Sequence, residues 1–176
     1  NPKHWCSLGR TLGELGRYEE AVESVDRAIA LAPNLAVAWA DRGVSLVHLG
    51  RIQKQRRLFE EALKSLEEAM KLGLDTHQTR SGKGTVLEEL GRYDEAAKSY
   101  DQALRLKPDY GIAWHGRGNA LFRLKNYPEA VKSHDRAISI EAENADAWSS
   151  RGEALEKMGK YEEATQSRAR AFELRD

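Results

Sequence analysis

Apolar residues in this chain recur at helical spacing, in short paired stretches separated by turns. Ala38-Trp39 through Leu49 is one such stretch and closes at Gly50; Tyr93 through Leu106 is another. No stretch alternates apolar and polar residues as a half-buried strand would. The couplet then repeats on a ruler of 34 residues. Trp5 and Trp39 are 34 apart, as are Trp114 and Trp148, and the aromatics Tyr18, Phe59, Tyr93, Tyr127 and Tyr161 step by 41, 34, 34 and 34. Small residues keep the same steps at Ala21, Ala62, Ala96, Ala130 and Ala164 and at Ala28, Ala69, Ala103, Ala137 and Ala171. Gly9, Gly43, Gly84, Gly118 and Gly152 complete the set. Five repeats follow, at about 2–35, 36–76, 77–110, 111–144 and 145–176, each predicting two helices, so that the chain is a single all-α array over 1–176.

Local signals mark the ends of these helices. Acidic pairs open the second helix of a repeat, as in Glu19-Glu20, Asp94-Glu95 and Glu162-Glu163, where they oppose the positive end of the helix dipole. Pro33 and Pro108 stop it, and Asn34, Asp75, Asp109 and Asn144 stand where a side chain would cap the next helix.

The first repeat offers Trp5, Leu8, Gly9, Leu12, Ala21, Val25, Ala28 and Pro33 in order, and the fourth Trp114, Arg117, Gly118, Leu121, Ala130, His134, Ala137 and Ala142. This spacing resembles the tetratricopeptide repeat family over essentially the whole chain. The resemblance implies a right-handed superhelical solenoid of five helix-turn-helix repeats with a concave groove. Glycine and alanine let the backbones approach, the aromatics fill between pairs, and no pair buries its apolar face without a neighbour.

Three repeats depart from the ruler. The second is seven residues too long, and the extra residues lie between Gly50 and Phe59. Seven residues make nearly two helical turns, about 700°, which keeps Phe59 on its face. The expectation is an uninterrupted extension of the second helix by about 10 Å, with Ile52 on its apolar stripe. Arg51, Lys54, Arg56 and Arg57 make a basic spot there, read as a solvated face. The third repeat has Arg80 in the tryptophan place and a polar first helix containing Gly82 and Gly84, a weak link and a candidate hinge. Its Gly82-Lys83-Gly84-Thr85 string is not a phosphate loop, which needs Ser or Thr directly after the lysine. The fifth repeat carries Thr165 and Arg168 where apolar residues would cover a further repeat.

Charge and chemistry narrow the function. The 28 Lys and Arg balance 28 Asp and Glu, so no basic excess points to nucleic acid or a membrane surface. No apolar run approaches the roughly 18 residues of a spanning helix. The start at Asn1-Pro2-Lys3, without Met or an apolar leader, reads as a cut from a longer protein. The compartment stays open, with the cytoplasm as the default. The single Cys6 excludes an internal disulfide, and His4, His48, His77, His115 and His134 form no metal-binding spacing. With neither a nucleophile and base pair nor a cofactor motif, the expectation is a chain that is not an enzyme and holds no cofactor.

The resemblance also implies which places face the groove. Val44, Val47, His48, Thr85, His115, Asn119, Phe122 and Arg123 are the peptide-binding candidates carried over in this way. These places vary while the packing places repeat, as a recognition surface on a scaffold would. The known Lys/Asn/Asn/Lys/Arg clamp for a partner's C-terminal carboxylate is not matched: Cys6, Arg10 and Asp41 stand where it would begin. The expected function is a non-catalytic scaffold binding a protein or peptide segment. The alternatives are a regulatory or substrate-presenting segment of a larger enzyme, such as a glycosyltransferase, and self-association through the repeat ends. Two structural expectations accompany this reading. Asp26–Arg42, Asp101–Arg117 and Asp135–Arg151, each 16 residues apart, should pair between repeats. Phe122 should be a groove anchor beside His115, Asn119 and Arg123, unless it packs into its own repeat or the next.

Overall fold

A computed structural model describes residues 1–175. Among these residues there are ten helices and no strand: α1 (Pro2–Glu14), α2 (Tyr18–Leu31), α3 (Ala36–Gln53), α4 (Arg56–Lys71), α5 (His77–Glu89), α6 (Tyr93–Leu106), α7 (Gly111–Arg123), α8 (Tyr127–Ile140), α9 (Ala145–Lys157) and α10 (Tyr161–Glu173). The chain is a helical repeat solenoid. It divides into two compact units, Asn1–Gly91 and Arg92–Asp176, with the boundary inside the third repeat.

The core of each unit is built from the repeating small residues. Ala21, Ala28, Ala62 and Ala69 in the first unit and Ala96, Ala103, Ala130 and Ala137 in the second are at most 1 % exposed. The repeated glycines Gly9, Gly43 and Gly118 each meet a large side chain of the following helix. A Cβ at Gly9 would lie 2.4 Å from Val25, at Gly43 2.8 Å from Leu66, and at Gly118 2.5 Å from the His134 ring. The helices close to this distance because the glycine has no side chain.

The tryptophans do more than fill space. The indole N–H of Trp39 donates to the carbonyl of Pro33 (2.8 Å), that of Trp114 to Pro108 (2.8 Å), and that of Trp148 to Ala142 (2.9 Å). Each tryptophan thereby satisfies a carbonyl in the turn six residues before it. Of the four proposed caps, Asn144 alone accepts from the next helix, at the Ala147 N–H. Asn34 and Asp109 lie one residue too early, in turns closed by main-chain bonds, and α3 and α7 start without a side-chain cap. Thr76 takes the role expected of Asp75 and forms a capping box with Thr79.

The insertion in the second repeat does not extend one helix. α3 has 18 residues against 13 for α1, and α4 has 16 against 14 for α2. Both partners of the hairpin grow, and Lys54 turns the chain in the left-handed conformation (φ 53°). A lone extension of the second helix would have left its extra turns without a neighbour. Growing both lets Leu49, Leu58 and Phe59 bury together, while Ile52 is 64 % exposed. Gly50 loses its turn role and becomes a packing glycine, 2.9 Å from the Phe59 ring at its would-be Cβ. The turns of the first, third and fifth repeats keep their glycine at positive φ: Gly16 (75°), Gly91 (75°) and Gly159 (77°).

The inter-repeat ion pairs form as expected: Arg42–Asp26 at 2.7 Å, Arg117–Asp101 at 2.7 Å and Arg151–Asp135 at 2.6 Å. Lys83–Glu67 at 2.8 Å is a fourth pair of the same spacing, hidden in the sequence by its different residue types. Each arginine also donates to a buried serine of its own repeat, Ser65, Ser133 or Ser167. Asp26, Asp101 and Asp135 remain more than 40 % exposed, so these ties set register more than stability. Arg117→Ala is expected to cost about 1 kcal/mol in urea unfolding. A loss above about 3 kcal/mol would mean that the pair is a core element.

At the far end, Thr165 and Arg168 are exposed as expected, with Arg168 paired to Glu156. The face is not wholly polar, because Tyr161 and Phe172 are each 68 % exposed.

Candidate functional site

In the first compact unit, the first helices of successive repeats, α1, α3 and α5, lie side by side. Two concavities open on that side. One, of about 280 Å³, is lined by Arg10, Glu14, Tyr18, Asp41, Val44 and His48. The other, of about 420 Å³, is lined by Val37, Ala40, Val44, Leu66, Leu74 and Gly82, again with Asp41. Asp41 and Val44 belong to both and form the wall between them.

Asp41 is an acceptor for two partners on α1. Cys6 Sγ donates to Asp41 Oδ2 over 3.2 Å and Arg10 Nη2 over 3.0 Å. Burial, then the Asp41 carboxylate, pushes the Cys6 thiol up to about 11, so it stays a protonated donor. The Arg10 guanidinium is held charged by the same carboxylate. The three residues that fail to make a carboxylate clamp are therefore bound to one another. Sequence spacing of 31 and 35 residues gave no local signal of this; the side-by-side packing of α1 and α3 brings them together.

Of the first-unit candidates, Val44 is 53 % exposed, as a recognition residue should be. His48 stacks flat on Tyr18, ring centroids 4.8 Å apart and planes 6° from parallel. Burial, then the nearby Arg51 charge, lowers its pKa and keeps it neutral near pH 7. Val47 is 8 % exposed and belongs to the core. Val47 lies only about 60° round the helix from Val44, but on the side of the packing glycines Gly43 and Gly50, at the edge of the buried stripe. Thr85 is half-buried, its hydroxyl donating to the Ser81 carbonyl over 3.3 Å.

The remaining four candidates lie in the second unit. His115 and Asn119 are one turn apart on α7, with Asn119 Nδ2 and His115 Nε2 3.1 Å apart. With the amide donating, the ring proton is on His115 Nδ1, which is buried without a partner. The His115 ring lies 5.3 Å from that of His134, which is fully buried with both nitrogens unpartnered. Phe122 is half-buried with its ring edge-on to Tyr127 of its own repeat at 5.4 Å, so much of its surface is used internally. The Arg123 guanidinium lies 5.0 Å over the Tyr93 ring. Among the described residues, no three His, Cys, Asp or Glu side chains converge on a point, and no helix is long and apolar enough to cross a membrane.

Two family models, both described as tetratricopeptide repeat, match the chain, one over residues 6–71 and 81–142 and the other over 145–176. No curated protein sequence matches it. Solved structures share its fold. MamA 41-end from Desulfovibrio magneticus RS-1 superposes with a TM-score of 0.85 at 17 % identity, covering 99 % of this chain and 94 % of that one. Another MamA crystal structure gives a TM-score of 0.81 at 20 % identity, covering 95 % and 94 %. YrrB, described as a TPR protein with an unusual peptide-binding site, gives a TM-score of 0.74 at 20 % identity, covering 97 % of this chain and 84 % of that one.

Proposed function

Because the chain belongs to the tetratricopeptide repeat family, we propose that it is a non-catalytic interaction scaffold that binds a peptide segment of a partner along the α1, α3 and α5 face. The observation that carries this reading is Val44, an aliphatic side chain left 53 % exposed on the wall between two concavities. Leu46, Val47 and Leu49 of α3 are in the core, whereas Val44, like Val37 in the same concavity, keeps apolar surface in water that a ligand can cover. The rigid helices on either side hold the concavities open in advance, which lowers the ordering cost of binding. YrrB, similar in fold, is described as having a peptide-binding site, which accords with this use of the scaffold. His115, Asn119, Phe122 and Arg123 form a second, more polar surface in the other compact unit, where Asn119 and Arg123 supply orienting contacts.

Peptides selected from a random display library on the wild-type protein test the reading. Val44→Glu is expected to weaken their binding at least about tenfold, equivalent to ~1.4 kcal/mol. Its unfolding free energy should stay within about 0.5 kcal/mol of wild type, as for an exposed position. Selected peptides that bind Val44→Glu as well as wild type would place recognition elsewhere.

A further inference from the structure

We infer that the α1, α3 and α5 face selects a basic–apolar segment: an extended peptide with a Lys or Arg side chain in the Asp41–Glu14 concavity and an aliphatic side chain in the neighbouring one. The inference rests on the peptide-binding reading and specifies its ligand.

The charge of the first concavity sets one half of this preference. Its walls carry one cation, Arg10, and two carboxylates, Glu14 and Asp41. Arg10 is consumed by Asp41, and both bonds that Asp41 accepts end on Oδ2. Asp41 Oδ1 has no partner among the described residues, and the side chain keeps 20 % of its exposure. Glu14 is exposed and makes no ion pair among the described residues. His48 adds no positive charge near pH 7, because burial and Arg51 hold it neutral. The site therefore presents two carboxylates with spare acceptor capacity beside a stacked Tyr18–His48 wall. An ammonium or guanidinium group satisfies the carboxylates, and its stem and charge fit against aromatic faces. An acidic or phosphorylated side chain meets like charge there instead.

The second concavity sets the other half. Val37, Ala40, Val44, Leu66 and Leu74 line it, and Asp41 on the shared wall is its only charged lining residue. Its volume of about 420 Å³ accommodates a branched aliphatic side chain. Alternate side chains of an extended peptide lie about 7 Å apart on one face, so one peptide can place two of them in concavities that share Asp41 and Val44. An amphipathic segment with a basic residue two before or after an aliphatic one thus fills both.

An immobilised array of eight-residue peptides in a Gly/Ser background tests this. Each peptide carries one of Lys, Arg, Glu or Ser and one of Leu, Val, Phe or Ser, separated by one to three residues. Wild-type protein is expected to favour Lys or Arg with Leu or Val at least tenfold over the matching Glu peptides. Asp41→Asn and Glu14→Gln should each reduce that preference at least threefold, whereas Asp94→Asn on α6 should not. Glu14→Gln is the safer variant, since Glu14 makes no hydrogen bond or ion pair among the described residues. Binding with no preference for basic residues, or a preference that survives both variants, overturns the basic–apolar inference and leaves the peptide groove standing. Binding to no peptide above the level of Val44→Glu overturns both.

Discussion

Lowering the pH from 7 to 5 is expected to destabilise the Arg92–Asp176 unit by about 2 kcal/mol through His134 alone. Burial, then the His115 and Arg151 charges, presses the His134 pKa down to about 3. In the unfolded chain it returns to about 6.5. The folded value lies below the unfolded one, so below about pH 6.5 the unfolded chain takes up the proton first. The stability of the neutral ring is complete above that pH and is lost at ~1.4 kcal/mol per unit until about pH 3. Geometry gives the same direction. His134 is wholly buried, neither ring nitrogen has a partner, and the rings and charges facing it are His115 from α7 and Arg151 from α9. No carboxylate accepts its proton; Asp146 acts on His115, whose own pKa burial also lowers. Val25 and Leu66 occupy the same place in earlier repeats, so His134→Leu suits the site. Urea unfolding at pH 7 and pH 5 measures the effect. The pH-linked loss should shrink by about 2 kcal/mol in His134→Leu; an undiminished loss would show that other groups carry it.

Tyr100→Ala is expected to cost about 3–5 kcal/mol, by comparison with other buried aromatic truncations. Tyr100 is 2 % exposed, and its ring occupies the space that a side chain at position 116 would need. A Cβ on Gly116 would stand 2.4 Å from Tyr100 Cζ and 2.6 Å from its hydroxyl oxygen. Gly116→Val is therefore expected to cost at least about 1–3 kcal/mol through forced displacement of the ring. The two substitutions compete for one volume, so the double variant should be markedly more stable than the sum predicts. A double-mutant cycle from chemical unfolding measures this. Strict additivity would mean that the ring and the glycine do not share the space.

The contrast between correct and incorrect expectations has a physical basis. Residues that repeat at fixed spacing report contacts that repeat, which is why Asp26–Arg42, Asp101–Arg117 and Asp135–Arg151 were legible from spacing alone. The same reasoning missed Lys83–Glu67, which keeps the 16-residue spacing but carries Lys and Glu in place of Arg and Asp. Val47 was assigned to the recognition face by its place in the repeat, yet α3 is the longest helix and buries Leu46, Val47 and Leu49. An averaged family position carries no information about an individual helix lengthened by an insertion.

Among the described residues, the amino-acid sequence by itself determined the ten helices and the glycine and alanine positions where helices meet. Each of these depends on local periodicity or on a residue's own size. Tertiary structure decided how the seven extra residues were shared, since a helical turn is stabilised only where a neighbour covers it. It decided that Cys6 and Arg10 converge on Asp41, 35 and 31 residues away, and left one carboxylate oxygen without a partner. It also left Val44 in solvent between two concavities while burying its neighbours. A binding surface is made of side chains from different helices, and their meeting is set by how whole helices pack.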